Sequence, residues 1–156
     1  MSASDSTSAT RGRWVLPLVW ILIIFIFSTD SFSSAGTARV IVPVLKFLFP
    51  FLSPEQMGLL HIVCRKAGHV IEYFVLGALI WRAFTGGRTE EIKSTFLTVV
   101  LVLVVALSDE FHQSLVPSRT STLVDVGYDM VGGLVALLLM ARFRNAARTL
   151  HSHSIL

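Results

Sequence analysis

The spacing of apolar runs constrains this chain most. Trp14 to Phe27 carries no ionisable or hydroxyl side chain, and further apolar stretches occupy about 63–82, 93–113 and 120–142. In hydrocarbon every backbone N–H and C=O must be satisfied internally, which leaves the helix for separate runs of this length. A span needs about 20 residues, and the 14-residue first run covers only about 21 Å. The pattern predicts an all-α integral membrane four-helix bundle with spans at about 14–30, 63–82, 93–113 and 120–142. Charged residues make up 15% of the chain and hydrophobic ones 53%, whereas an ordinary soluble domain carries about 25% charged. The apolar surplus is therefore assigned to a lipid-facing surface.

The segments between the runs have their own signals. Residues 1–13 are small, polar and without periodicity, the composition of a disordered tail, and 143–156 forms a second polar tail. Thr37 to Leu52 is apolar but broken by Arg39, Pro43, Lys46 and Pro50, and each Pro lacks a backbone donor. An interfacial or re-entrant segment between spans 1 and 2 is expected there. Ser53-Pro54-Glu55-Gln56 predicts a helix start, with Ser53 as N-cap, Pro54 at N1 and Gln56 at N3. Thr85-Gly86-Gly87-Arg88 predicts a turn. A cleaved signal peptide is the alternative for the first run, with Arg11 and Arg13 ahead of it and Ser33-x-Ala35 as a cleavage pattern. Asp30, Phe32 and the long gap before Ala35 favour a retained anchor.

The 13 basic residues give an orientation. With four spans and a cytoplasmic N-terminus, Arg11, Arg13, Arg82, Arg88, Lys93, Arg142, Arg144 and Arg148 fall inside, against Arg39, Lys46, Arg65, Lys66 and Arg119 outside. The positive-inside bias places both termini in the cytoplasm. No basic face is interleaved with aromatics, which argues against nucleic acid as a partner. Cys64 is the single cysteine and implies no disulfide within the chain.

Ionisable residues also interrupt the apolar runs, and at related depths. Counting about 1.5 Å per residue from Arg82, Lys93 and Arg142, Lys66, Asp109 and Asp125 lie about 24–25 Å up, His69 and Asp129 about 20 Å, and Glu72 about 15 Å. At about 100° per residue, Lys66, His69 and Tyr73 share one face with Glu72 at its edge. Asp109, His112 and Gln113 share another, with Glu110 to one side. Asp125, Asp129, Gly132 and Ala136 form a stripe whose small residues permit close helix approach. Charges on a lipid face are costly, so these residues are expected to enclose one outward-opening polar pocket between spans 2, 3 and 4. Arg65, Lys66 and Arg119 oppose five acids: Glu72, Asp109, Glu110, Asp125 and Asp129. Pairing alone leaves an acidic excess.

Several residues have a structural alternative. Asp125 fits N3 of a helix capped by Thr122. Glu72 is either a structural partner of Lys66 or Arg119, or a functional carboxylate. Arg119 is either a loop residue or a bidentate anion ligand. His69-x-x-Glu72 with Asp109, Glu110 and His112 contains metal-ligand types. Lys66 and Arg119 at the same level would repel an ion, however, and no H-E-x-x-H spacing appears. Neither a metal nor another cofactor is assigned.

These residues also carry a resemblance. Lys66, His69, Glu72 and Tyr73 follow the K-x-x-H-x-x-E-Y signature of VanZ-like membrane proteins. Asp109, Glu110 and Gln113, then Arg119, then Asp125, Asp129 and Gly132 follow that family's later elements in order. Phe27-Ser28-Thr29-Asp30 is similar to the end of its first helix. The resemblance covers about residues 14 to 142. It implies a four-span bacterial inner-membrane protein of the cell envelope, in a family named for a member linked to teicoplanin resistance.

Two functions of different classes follow. One is binding of an envelope component, a lipid headgroup or peptidoglycan precursor, with Lys66 and Arg119 on its anionic part and Glu72, Asp109, Glu110 and Asp129 on its basic part. The other is a membrane-embedded hydrolase or transferase on lipid-linked phosphate, with His69 or Glu72 as base. Proton-coupled transport would require the four spans to oligomerise.

Overall fold

In a computed structural model, every regular element among the described residues is helical. The structure describes residues 3–86, 91–119 and 121–153, with side chains for 12–86, 91–119 and 121–144. Helix α1 is Ala3–Phe27, α2 Ser34–Leu48, α3 Pro54–Thr85, α4 Glu91–Ser114 and α5 Leu123–His153, and one 3-10 turn, Asp30–Phe32, separates α1 from α2. Helices α3, α4 and α5 (as far as Arg144) are each long and apolar enough to cross a membrane. Gly12–Phe27 and Asp30–Leu48 meet that standard only as a pair, bent by 73°. The chain thus carries three such helices, or four if the bent pair makes one span.

Two helix ends differ from the sequence-based expectation. Helix α1 begins at Ala3, inside the stretch expected to be a disordered tail, and α5 runs on to His153. Neither 3–11 nor 143–153 contains a Pro or Gly to stop the helix. Gly86 ends α3 with its N–H on the Arg82 carbonyl at 3.0 Å, while Gly87 and Arg88 of the expected turn lie outside the described residues.

The bend between α1 and α2 is built by short-range contacts. Ser28 continues the α1 hydrogen bonding to Ile24 at 2.9 Å, and Ser33 caps α2 by accepting from the Gly36 N–H at 3.2 Å. A Cβ on Gly36 would collide with the Ser31 carbonyl. Helix α2 continues through Pro43, with Leu45 buried and Val40, Phe47 and Leu48 exposed. The missing proline donor costs least on such an exposed helix.

Helix α3 starts with the expected capping box. Ser53 Oγ accepts from the Gln56 N–H at 3.2 Å, and Gln56 Oε1 accepts from the Ser53 N–H at 2.9 Å. From there one rod of about 48 Å continues to Thr85, and it packs against each of the other four helices. Its tightest neighbour is α5. Lys66 meets Asp125, His69 meets Asp129, Val70 and Phe74 face Gly132, and Gly77 faces Gly133 and Ala136. Numbers rise together along both helices, so α3 and α5 run parallel, as alternate spans of a bundle would. A Cβ on Gly132 would overlap the Val70 carbonyl. The small-residue stripe is thus a backbone-to-backbone seam.

Ile24, Tyr73, Leu76, Ile80, Val102, Val105, Ala106 and Val126 form the core. Leu16, Phe96, Phe111 and Leu138 leave more than half their surface exposed on the periphery. A membrane supplies the solvent that such a surface needs.

Candidate functional site

The ionisable residues of α3, α4 and α5 do converge near one end of the helices, but they divide into two sets. One set joins helices to one another. Lys66 Nζ lies 2.9 Å from Asp125 Oδ1 and 4.3 Å from the centre of the Tyr128 ring. Asp125 also caps α5: its N–H donates to Thr122 Oγ1 at 3.3 Å, while that hydroxyl donates to Asp125 Oδ2 at 3.0 Å. Asp125 therefore fills the capping role expected of it and also takes Lys66, a partner considered for Glu72. His69 Nδ1 lies 3.0 Å from Asp129 Oδ1, with Asp129 wholly buried.

Helix α4 turns its two adjacent acids in different directions. Asp109, buried, receives the Ser28 hydroxyl from the end of α1 and Gln113 Nε2 at 3.0 Å. Glu110, also buried, accepts the Thr122 N–H at 2.8 Å, and its own carbonyl accepts from the Ser121 hydroxyl at 2.9 Å. About 100° between successive residues sends Asp109 to α1 and Glu110 toward the start of α5.

Arg119 is tied to the α1 end. Its guanidinium donates to the Phe27 carbonyl and, at 3.2 and 3.3 Å, to the Thr29 carbonyl, while neighbouring Ser118 donates to Asp30. Burial, with Arg65 nearby, lowers the Arg119 pKa from its ordinary value, yet a guanidinium stays protonated.

The second set lines open space. A cavity of about 220 Å³ is enclosed by α1, the 3-10 turn, α2, α3 and α4, with Arg119 at its edge. Arg65, His69, Glu72, Asp109 and Gln113 supply its polar wall, and Ser28 and Thr37 add hydroxyls. Arg65 and Glu72, seven residues apart, share one face of α3 and stand about 10 Å apart along its axis. Among the described residues, neither side chain makes a hydrogen bond or ion pair. Gly68 lies between them, and a Cβ there would meet nothing within 4 Å. A second cavity of about 190 Å³, on the α5 side, is lined by Ile62, Arg65, Lys66, His69, Thr122 and Asp125.

This arrangement alters the pocket expected from sequence. The larger of the two cavities that reach His69 is walled in part by α1 and α2, and no α5 residue lines it. Lys66 and Asp125 belong to the smaller cavity, and Glu110 and Asp129 line neither. Tyr73 is fully buried in the core rather than exposed to the cavity. Sequence reasoning counted Arg65 among the cations opposing the acids without assigning it a place in the pocket, and it missed Ser28 and Thr37. The signal for Ser28 was Phe27-Ser28-Thr29-Asp30, where the apolar run breaks at the level of Asp109.

The chain matches the VanZ/LLP1 family over residues 13–144, most of its length, and it belongs to that family. No curated protein and no solved structure compared with the chain matches it.

Proposed function

From that membership and this geometry we propose that the protein binds the polar part of an envelope component, a zwitterionic lipid headgroup or peptidoglycan precursor, in the larger cavity. In this reading α1, α3, α4 and α5 cross the bacterial inner membrane with both termini cytoplasmic, and α2 lies along the outer interface. The observation that carries the proposal is the unpaired couple Arg65 and Glu72 on one wall of the cavity. Both side chains are half-buried without a hydrogen-bond partner among the described residues, so a ligand offering an anion to Arg65 and an ammonium to Glu72 would satisfy both. Arg119 adds positive potential, although the Phe27 and Thr29 carbonyls engage its Nε and Nη2. A part in teicoplanin-type resistance would follow if the ligand is a glycopeptide target or its lipid carrier.

Thermal unfolding of the purified protein, with and without phosphatidylethanolamine, phosphatidylglycerol or lipid-linked precursor, tests this. Stabilisation by one of these should fall at least tenfold in apparent affinity in Arg65→Gln and Glu72→Gln. Gly68→Leu, whose side chain has open space to enter, should block binding while leaving the protein folded. Equal affinity in all three variants would refute the proposal.

One observation favours the enzyme alternative. With Nδ1 engaged by Asp129, the imidazole of His69 is oriented and its Nε2 left available as a base on the cavity wall. His69 would then take a proton from the attacking water or hydroxyl at a lipid-linked phosphate. Release of phosphate or headgroup that disappears in His69→Gln supports this alternative, and no turnover with any of these lipids counts against it.

A further inference from the structure

The acidic excess is concentrated behind the cavity, where three helices bring His69, Glu110 and Asp129 together. One imidazole nitrogen and one oxygen from each carboxylate all lie within 4.8 Å of one another. Glu110 is 4% exposed and Asp129 0%. Independently, Glu110 Oε1 and Asp129 Oδ2 are each buried without a hydrogen-bond partner. Two buried carboxylates thus share a single imidazole, and unsatisfied buried charge of this kind needs a counterion or a proton.

We propose that His69, Glu110 and Asp129 form a divalent cation site of the Zn²⁺ or Mn²⁺ type. Geometry separates this from a shared proton. A proton held between two carboxyls requires them to hydrogen-bond directly, and no such bond joins Glu110 to Asp129 among the described residues. Tetrahedral ligands about 2.0–2.2 Å from one ion stand about 3.3–3.6 Å apart, so side-chain adjustments of up to about 1.5 Å would bring the three atoms, now within 4.8 Å of one another, to an ion. One nitrogen with two carboxylate oxygens suits a borderline metal better than Mg²⁺ or Ca²⁺, which prefer all-oxygen sites.

Half of the objection raised by the sequence, repulsion from Lys66 and Arg119, is met by pairing. Lys66 is neutralised by Asp125, while Arg119 keeps its charge and turns its guanidinium to the carbonyls that end α1. The Thr122 N–H fixes Glu110 through its other oxygen, the outer support that ligating carboxylates commonly have. Both cavities reach His69, so water has a path to the remaining coordination positions. The site stands on its own buried oxygens and does not depend on headgroup binding.

The test uses the full chain in detergent, stripped with chelator and titrated with Zn²⁺, Mn²⁺, Mg²⁺ and Co²⁺. The expected result is one saturable Zn²⁺ or Mn²⁺ per chain that raises thermal stability and outcompetes Mg²⁺. Affinity should fall at least tenfold in Glu110→Gln and Asp129→Asn, and Arg65→Gln should bind metal as the parent does. Should those acid variants fail to fold, the parent loaded with Co²⁺ decides. A four- or five-coordinate spectrum with coupling to one imidazole nitrogen, abolished by Zn²⁺, supports the site, and a six-coordinate aqua-like spectrum overturns it. No saturable binding, or binding unchanged in both acid variants, also overturns it. Arg65→Gln separates the two proposals, because it should remove headgroup binding alone.

Discussion

The two faces of α3 differ in how their polar groups are satisfied. Toward α5, Lys66 and His69 meet acids at 2.9 and 3.0 Å, and within the next turn Gly132 brings the backbones together. Toward α1 and α2, Arg65 and Glu72 have no such partners and border a 220 Å³ cavity. A single helix therefore acts as a fastening on one side and a receptor wall on the other. Conspicuous charge in a membrane helix does not by itself mark a headgroup site: the seam side chains engage one another across the helices, and those left without such a partner face the cavity.

Mutations can break this contrast, beginning with the seam. Gly132→Ala forces a methyl against the Val70 carbonyl, and overpacking of this kind costs about 3 kcal/mol; a variant that unfolds in detergent like the parent would remove the close-approach argument. His69→Leu leaves Asp129 buried without its partner, and a loss of about 3 kcal/mol is expected in the same measurement. Ser28→Ala removes one donor from Asp109, and interhelical hydrogen bonds in membranes are worth about 1 kcal/mol, so a modest fall in unfolding temperature should accompany weaker headgroup binding. Lys66→Met affects a pair whose lysine is 34% exposed. It should cost below about 1 kcal/mol, and a larger loss would mean that the pair, not the glycine contact, holds the seam. Gly127→Ala, where a Cβ meets nothing within 4 Å, should be neutral or raise stability by about 0.5–1 kcal/mol.

Local chemistry was the legible part. The Ser53 to Gln56 box and the Thr122–Asp125 cap depend on residues three apart, and the stripe of Gly132 and Ala136 depends only on helical periodicity. Family resemblance, drawn from ordered polar residues in three runs, pointed to the same chain segment that the VanZ/LLP1 match covers. Partner choice was harder to read. Whether Glu72 pairs with Lys66 depends on how far α3 is rotated against α5, and 100° of rotation moves a side chain from a seam to a cavity. The cavity's α1 and α2 wall was hidden for a similar reason. The break at Ser28 was visible in the sequence, but the 73° bend that carries Thr37 and Ile41 over the α3 face is a tertiary feature.

The collision between Gly132 and the Val70 carbonyl also limits where the molecule can yield. Helices whose main chains already touch have no room to slide closer, and their paired charges resist being drawn apart. With Ser28 to Asp30 also held by Asp109, Ser118 and Arg119, room for a larger guest is left only on the side of α2, and the α3–α5 unit serves as the fixed jaw.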